Sequence, residues 1–348
     1  MRIGLTYDLA NDWAGEDLDA ESLAEFDQPA TIEAIVAFLE AHGHDVERIG
    51  RAEALLRHLA GGARWDLVFN ICEGLHGFGR EALVPALLDA HSIPYVFSDP
   101  LVLALCLHKA HCKRVLRDAG LPTAAFAVLA RAGQPCGLQW PVFVKPLAEG
   151  TGKGIGAASF CHTPQQLRAA AARIIERFDQ PALAEEWLPG REFTVGIIGT
   201  GEDARPVGVM EIAAKSTYGF AAKKYFETVT YSRDADAPHE NAAHCVVADG
   251  DRLYENVAYR LVADAEARAA GDVALAAWRV LGCRDGGRID LRSDAAGRPM
   301  FLEANPLAGL HPVDSDFCIM ARLAGHDHAW LLARIMDAAS ARLGLVWR

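Results

Sequence analysis

Apolar and polar positions along this chain fall into short runs that switch between the period of a strand and that of a helix. Residues 2 to 7 read as a strand, and Thr31 to Ala41 (TIEAIVAFLEA) carries apolar residues at helical spacing up to the stop at Gly43. Asp66 to Cys72 (DLVFNIC) reads as a buried strand, Glu81 to Ala90 as a helix and Ile93 to Phe97 as a further strand. That alternation predicts an α/β domain with a parallel sheet over residues 1–100. A helix from Leu101 to Ala119, ended by Gly120 and Pro122, opens a second unit over 101–184. There, strands at Trp140 to Pro146 and Gly156 to Phe160 flank a glycine-rich tip, Glu149-Gly150-Thr151-Gly152-Lys153-Gly154, and a helix follows near 164 to 178. Ala182 to Leu188 and Arg191 to Gly199 read as strands, and residues 185–348 are expected to form a third unit of α+β character. Within it, the polar stretch from Ser232 to about Glu255 has the composition of a long loop.

A length of 348 residues exceeds what one hydrophobic core usually serves, in keeping with more than one unit. The 34 Lys and Arg against 46 Asp and Glu leave a net charge of −12, which disfavours nucleic acid and anionic lipid as partners. Polar residues come too early for a signal peptide and no apolar run is long enough to span a bilayer, so a cytoplasmic protein without membrane partners is expected. The eight cysteines are scattered, with no Cys-x-x-Cys pair to suggest zinc or a disulfide framework. The pairs His42/His44, His108/His111 and His326/His328 form no recognised ligand pattern.

The chemistry concentrates near the C-terminus. Gly287 to Arg292 and Met300 to Asn305 read as two strands joined by a turn-rich segment. Alternation places Arg288 and Asp290 on one face, and Glu303 and Asn305 likewise, so pairing would gather two carboxylates, an amide oxygen and a guanidinium. These are hard oxygen ligands of the kind Mg²⁺ takes together with nucleotide phosphates, although a salt-bridged edge hairpin shows the same pattern. The glycine-rich tip lets backbone N–H groups approach phosphate, but it is also what a surface turn looks like, and Lys153-Gly154 does not continue as a Walker loop. Lys145 lies in the apolar run Val142-Phe143-Val144, where a buried ammonium needs an anionic partner.

In this order the segments resemble the ATP-grasp superfamily, and within it the D-alanine–D-alanine ligases. The likeness runs from Lys109 through Val144-Lys145-Pro146 and Glu149-Gly150-Thr151, then Glu185 to Val195 (EEWLPGREFTV), to Gly287-Arg288-Ile289-Asp290 and Leu302-Glu303-Ala304-Asn305. It implies a two-lobed ATP-grasp fold behind the N-terminal domain. Lys109, Lys145 and the tip residues Glu149, Gly150, Thr151 and Gly152 would contact ATP phosphates, and Glu185, Glu186, Trp187, Leu188 and Glu192 would receive adenine and ribose. Asp290, Glu303 and Asn305 would hold two Mg²⁺, with Mn²⁺ as a substitute. The resemblance further assigns Lys224 and Tyr225 to a closing loop, Arg288 and Gly309 to oxyanion stabilisation, and Glu25 to the ammonium of the first substrate; Glu25 also suits the acidic entry to a helix. The reaction implied is ATP-dependent joining of a small carboxylate to an amine through an acyl phosphate. Homodimerisation is implied by the family's habit alone.

The chain departs from the family on the amino-acid side. Thr151-Gly152 stands where the family has a Ser-Ser pair, and Asp314 stands at or near a serine that grips the second substrate's carboxylate, with Ser315 one residue on. An anionic Asp314 would repel that carboxylate. Glu73 and His76 extend a simpler family turn and are candidates for the first-substrate pocket, or for loop packing. These differences favour a ligase with other substrates over an authentic D-alanine–D-alanine ligase of cell-wall synthesis. A non-catalytic ATP-binding protein and an ATP-grasp enzyme forming a phosphorylated product or a thioester are the remaining alternatives.

Overall fold

A computed structural model describes residues 1–13, 18, 21–214, 242–249 and 252–348. The opening alternation folds as expected into a parallel sheet. Strand β1 (Arg2–Thr6) lies between β2 (Asp45–Gly50) and β3 (Leu67–Asn70), with α1 (Pro29–Ala41) crossing from the first to the second, and α2 (Ala52–Ala60) and α3 (Leu83–Ala90) follow β2 and β3 in the chain. Pro29 sits in the first turn of α1, where no backbone donor is lost. The expected strand at Ile93 to Phe97 does not form; its sole ladder contact is a bridge from Tyr95 to Val68. Pro94 has no N–H to give, and Phe97 takes the left-handed backbone at φ 77°, so the segment cannot continue a ladder.

The expected helix from Leu101 to Ala119 is two helices, α4 (Pro100–Leu107) and α5 (Lys109–Asp118). His108 leaves the helical region at the junction, and its ring nitrogen accepts from the His111 N–H, capping the second helix. Lys109 therefore starts α5. A four-stranded antiparallel sheet follows, in the order β4 (Phe126–Leu129), β7 (Ala182–Glu186), β5 (Val142–Pro146) and β6 (Phe160–Cys161), backed by α6 (Pro164–Phe178). The strand expected at Gly156 to Phe160 is mostly a 3-10 turn at Ala157–Ser159, and only Phe160 and Cys161 pair with β5.

The third sheet has six antiparallel strands, in the order β10 (Ala242–Asp249), β11 (Arg252–Leu261), β9 (Arg205–Ala214), β8 (Glu192–Ile198), β12 (Gly286–Ser293) and β13 (Pro299–Asn305). Its outer hairpin, β10 with β11, corrects the reading of Ser232 to Glu255 as a long loop: the described part of that stretch is strand. The polar residues lie ahead of the hairpin, in Ser232 to Asn241, while the edge strand itself carries Ala, Cys and Val. Helix α7 (Ala265–Leu281) covers this sheet and ends at Gly282, whose φ of 74° suits glycine. The last helices, α8 (Asp316–Leu323) and α9 (His328–Leu343), pack back on the first sheet: Leu331, Leu332, Ile335 and Met336 share one core with Ile3, Leu5, Ile35 and Phe69. Asp285, fully buried, ties the regions together by accepting from the Phe97 N–H (2.7 Å) and pairing with Arg342 of α9 (2.6 Å).

Cys72, Cys106, Cys112, Cys136, Cys161, Cys283 and Cys318 are free, and all of these but Cys136 are buried. Among the described residues no helix is long and apolar enough to cross a membrane.

Candidate active site

Strand register builds the acidic patch. In the β12–β13 ladder Arg288 stands opposite Asn305 and Asp290 opposite Glu303, so all four share a face, as alternation predicts. On its other side β12 pairs with β8, where Thr194 lies opposite Asp290 and Glu192 opposite Arg292. The Thr194 hydroxyl donates to Asp290 (2.5 Å), the Asn305 amide nitrogen donates to its other oxygen (2.9 Å), and Glu192 pairs with Arg292 (2.9 Å). Burial, reinforced by the charge of Glu303, pushes the Asp290 carboxyl above its ordinary range although Arg288 opposes it. A cation between the two carboxylates would relieve that cost, and the Asn305 carbonyl oxygen remains as a third hard donor, so the residues fit Mg²⁺ in kind. Among the described residues no cluster of three or more acidic, His or Cys side chains is assembled around such a point.

Beside this patch lies a cleft of about 1010 Å³ between the second and third sheets. Phe143, Ile155, Trp187, Leu188, Ile212 and Leu302 give it an apolar shelf. Trp187 packs against Phe143 and Phe160 at ring separations of 5.8 and 4.9 Å, and the Arg292 guanidinium lies 4.3 Å from its centroid. Phe143 stands opposite Glu185 on neighbouring strands, so Lys145, two residues on, shares their face. Glu185 is 3% exposed and lies between Lys145 (2.8 Å) and Lys113 (2.6 Å). Burial works against its ionisation, but the two ammonium groups outweigh it and hold the carboxyl at about 2. Lys113, fully buried, also donates to the Thr123 hydroxyl and the Phe301 carbonyl.

A second cavity of about 670 Å³ adjoins the cleft, with Lys109 and Glu303 lining both. Lys109 donates to the Glu149 carbonyl (2.6 Å) and lies 3.3 Å from Glu303. Its wall brings together residues far apart in sequence: Glu25 and Glu73 of the first domain, Gly150 and Thr151 of the glycine-rich tip, and Arg288, Asn305 and Gly309. The Gly150 N–H donates to Glu25 (2.6 Å), and a Cβ on Gly150 would sit 2.7 Å from that carboxylate oxygen, so a side chain there would displace the Glu25 carboxylate. Lys153 pairs with Glu25 (2.7 Å) and Glu149 (2.6 Å), and Arg80 reaches both at 3.3 and 3.6 Å. Burial opposes ionisation of Glu25, but Arg80 and Lys153 win and its carboxyl is held below the ordinary range. Arg288 pairs with Asp316 (2.5 Å) and reaches Asp290 at 3.6 Å.

Of the residues singled out in sequence, Lys109, Lys145, Glu149, Gly152, Glu185, Glu186, Trp187, Leu188, Glu192, Asp290 and Glu303 line the cleft. Asp314 and Ser315 line neither cavity: Asp314 faces His311 (3.4 Å), and the Ser315 hydroxyl accepts from the His311 N–H. His76 is exposed and lies outside both linings. Lys224 and Tyr225 lie outside the described residues. Sequence reading missed Lys113, Lys153, Arg80, Glu81 and Asp316. Lys113 carried a signal, standing four residues after Lys109 on the same helical face, whereas the partners of Lys153 and Arg80 are distant in sequence.

A cleft between a four-stranded and a six-stranded antiparallel sheet, behind a parallel N-terminal sheet, is the arrangement that the resemblance to the ATP-grasp ligases implies, and comparison with known proteins agrees. The chain superposes on the D-alanine–D-alanine ligase of Bacillus anthracis, a crystal structure complexed with ATP, with a TM-score of 0.69 over 99% of this chain and 97% of that one, at 18% identity. Residues 115–265 and 255–337 match the family model described as D-ala D-ala ligase C-terminus. In sequence it is 32% identical over 307 residues to the D-alanine–D-alanine ligase of Bordetella petrii, covering 86% of this chain and 84% of that protein. It is also 31% identical over 279 residues to the uncharacterized protein y4sG of Sinorhizobium fredii, covering 79% and 75% respectively. The chain belongs to the D-alanine–D-alanine ligase family of ATP-grasp carbon–nitrogen ligases.

Proposed function

We propose that this protein activates a small carboxylate with ATP as an acyl phosphate and joins it to an amine, releasing ADP and phosphate, with substrates that are amino acids or related small metabolites. The observation that carries this reading is that the cleft and the second cavity meet at Lys109 and Glu303, so a nucleotide's phosphate end and a small acid would face each other there. Trp187 and Leu188 offer a flat apolar seat to a base, with Glu186 and Glu192 at its rim. Lys145 and Lys109 present ammonium groups where phosphates would lie, and Lys113 keeps Glu185 ionised and Lys145 aligned. Asp290, Glu303 and Asn305 would hold Mg²⁺, which when bound neutralises phosphate charge. Arg288, fixed by Asp316, stands ready to stabilise oxyanion charge, with Gly309 in the same wall. Catalysis on this reading is positioning and charge stabilisation.

The test is phosphate release with ATP and Mg²⁺ across single and paired D- and L-amino acids, with mass spectrometry of products and an Asp290→Ala/Glu303→Ala control. A condensed product requiring two substrates supports the ligase reading. ATP binding without turnover on any pair would favour a non-catalytic protein. A second reading, synthesis of D-alanyl-D-alanine, has the named activity of the Bordetella petrii relative in its favour; a dipeptide from D-alanine alone would establish it.

A further inference from the structure

The glycine-rich tip between β5 and α6 is held from outside as well as from within. Thr151, Gly152 and Gly154 take left-handed backbone, at φ 52°, 72° and 72°. Two turns close the tip on itself, from the Lys153 N–H to the Gly150 carbonyl (3.0 Å) and from the Ile155 N–H to the Gly152 carbonyl (3.1 Å). A segment this rich in glycine has many conformations to lose, so fixing one of them needs further contacts. The first domain supplies them. The Gly150 N–H donates to Glu25 (2.6 Å), and the Gly154 N–H donates to Glu21 (2.9 Å), which also pairs with Arg177. Arg80 donates to the Ala148 carbonyl (2.9 Å).

At the centre of these contacts two acids and two bases form a square. The Lys153 ammonium lies 2.7 Å from Glu25 and 2.6 Å from Glu149, and Arg80 reaches the same two carboxylate oxygens at 3.3 and 3.6 Å. The four side chains are between 5% and 12% exposed, and charges so covered persist only when matched. Burial works against the charge on Lys153, but Glu25 and Glu149 outweigh it and hold the ammonium above its ordinary range. Gln180 fixes the other Glu149 oxygen (2.7 Å) while its own carbonyl accepts from the Ala148 N–H (2.7 Å), so the acid cannot swing away. Lys153 lines the cleft and Glu25 lines the second cavity, whereas Arg80 lines neither.

We propose that Lys153 and Arg80 are positioning residues for the nucleotide: through Glu25 and Glu149 they clamp the glycine-rich tip onto the first domain, so that its backbone is set to receive phosphates before ATP arrives. The inference rests on the reading of the cleft as an ATP site and adds how the tip is set. Direct binding of phosphate by Lys153 is the rival role. Its ammonium is already placed between two carboxylates, and Arg80, which cannot touch the cleft, shares both of them. Ordering the tip in advance takes its conformational entropy out of the cost of binding.

The experiment compares MgATP with adenosine, which lacks the phosphates, by calorimetric titration of the full chain. Lys153→Gln and Arg80→Gln should each weaken MgATP about tenfold and leave adenosine within about twofold. Lys153→Arg should recover most of the MgATP loss. In the nucleotide-free protein, amide exchange across residues 150–154 should quicken about tenfold in both Gln variants. If those buried-charge variants fail to fold, Glu21→Ala, which removes the acceptor of the Gly154 N–H, should show the same contrast at about threefold. The proposal is overturned if MgATP affinity is unchanged, if adenosine weakens equally, or if exchange at the tip stays as in wild type. A loss of MgATP affinity in Lys153→Gln but not in Arg80→Gln would mean a direct phosphate contact and overturns it too. A wild type that binds no MgATP would remove the ligase reading and this proposal together, whereas variants that match a binding wild type remove the proposal alone.

Discussion

The cleft and the cavity beside it solve opposite electrostatic problems with the same residue types. At the cleft Lys113, from behind, and Lys145 share the single carboxylate of Glu185, which stays ionised between them. Behind the cavity wall Lys153 and Arg80 are divided between Glu25 and Glu149, while Glu73 and Glu81 make no ion pair among the described residues. A carboxylate between two ammonium groups stays ionised when buried; one among other carboxylates takes up a proton or waits for a cation. Pairing therefore separates the two ends: a doubly paired acid beside the cleft, and two acids without an ion pair among the described residues in the cavity wall.

The largest effect that would test this contrast comes from Lys113. Lys113→Met leaves Glu185 with Lys145 alone and buries an unfilled donor position, and should cost about 3–5 kcal/mol in urea unfolding. A loss below about 1 kcal/mol would mean that the pairing is not built as described. Next, Asp290→Asn or Glu303→Gln should lower phosphate release by roughly 10²–10³-fold without loss of fold, checked by circular dichroism. An active Asp290→Asn enzyme would remove the patch from the chemistry.

The acid–base contrast predicts opposite signs. Glu185 is held at about 2 against an ordinary 4.5, so its contribution is present above the ordinary value and is lost as pH falls toward 2. Glu81 is raised to about 7, so between 4.5 and 7 the folded state holds a proton that the unfolded chain lacks, and stability falls as pH rises through that window. Glu81→Gln should therefore stabilise the protein at pH 8 by about 2 kcal/mol and leave it little changed at pH 4, read from paired urea titrations. Destabilisation at pH 8 would reverse the assignment. The smallest effect expected is at the shelf: Trp187→Ala should raise the KM for ATP about tenfold while kcat stays within a few-fold.

Legibility followed the range of the interaction. The acidic face of Arg288, Asp290, Glu303 and Asn305 was readable because strand alternation and a short hairpin fix it locally. The break at His108 was not, because apolar residues continue on both sides and a single ring nitrogen decides where one helix ends and the next begins. The edge hairpin β10–β11 was hidden by the polar residues that precede it and by Asp249-Gly250-Asp251 between its strands, and the segment from Ile93 looked like a strand because its one disqualifying residue, Pro94, sits among good strand formers. Glu25 was singled out as a candidate anchor, but nothing near it in sequence announces that Lys153, 128 residues further on, would take its charge.

The packing of α9 against the opening sheet has a consequence for how the chain is made. The inner face of the sheet that holds β1 is covered by Leu331, Ile335 and Met336, so a ribosome must deliver the more than 300 residues between them before that core can close. Until then Ile3, Leu5 and Phe69 lack part of their cover, in a contact pattern dominated by distant pairs. Synthesis thus leaves β1 and β3 waiting on α9, and truncation before α9 should release a nascent chain prone to self-association.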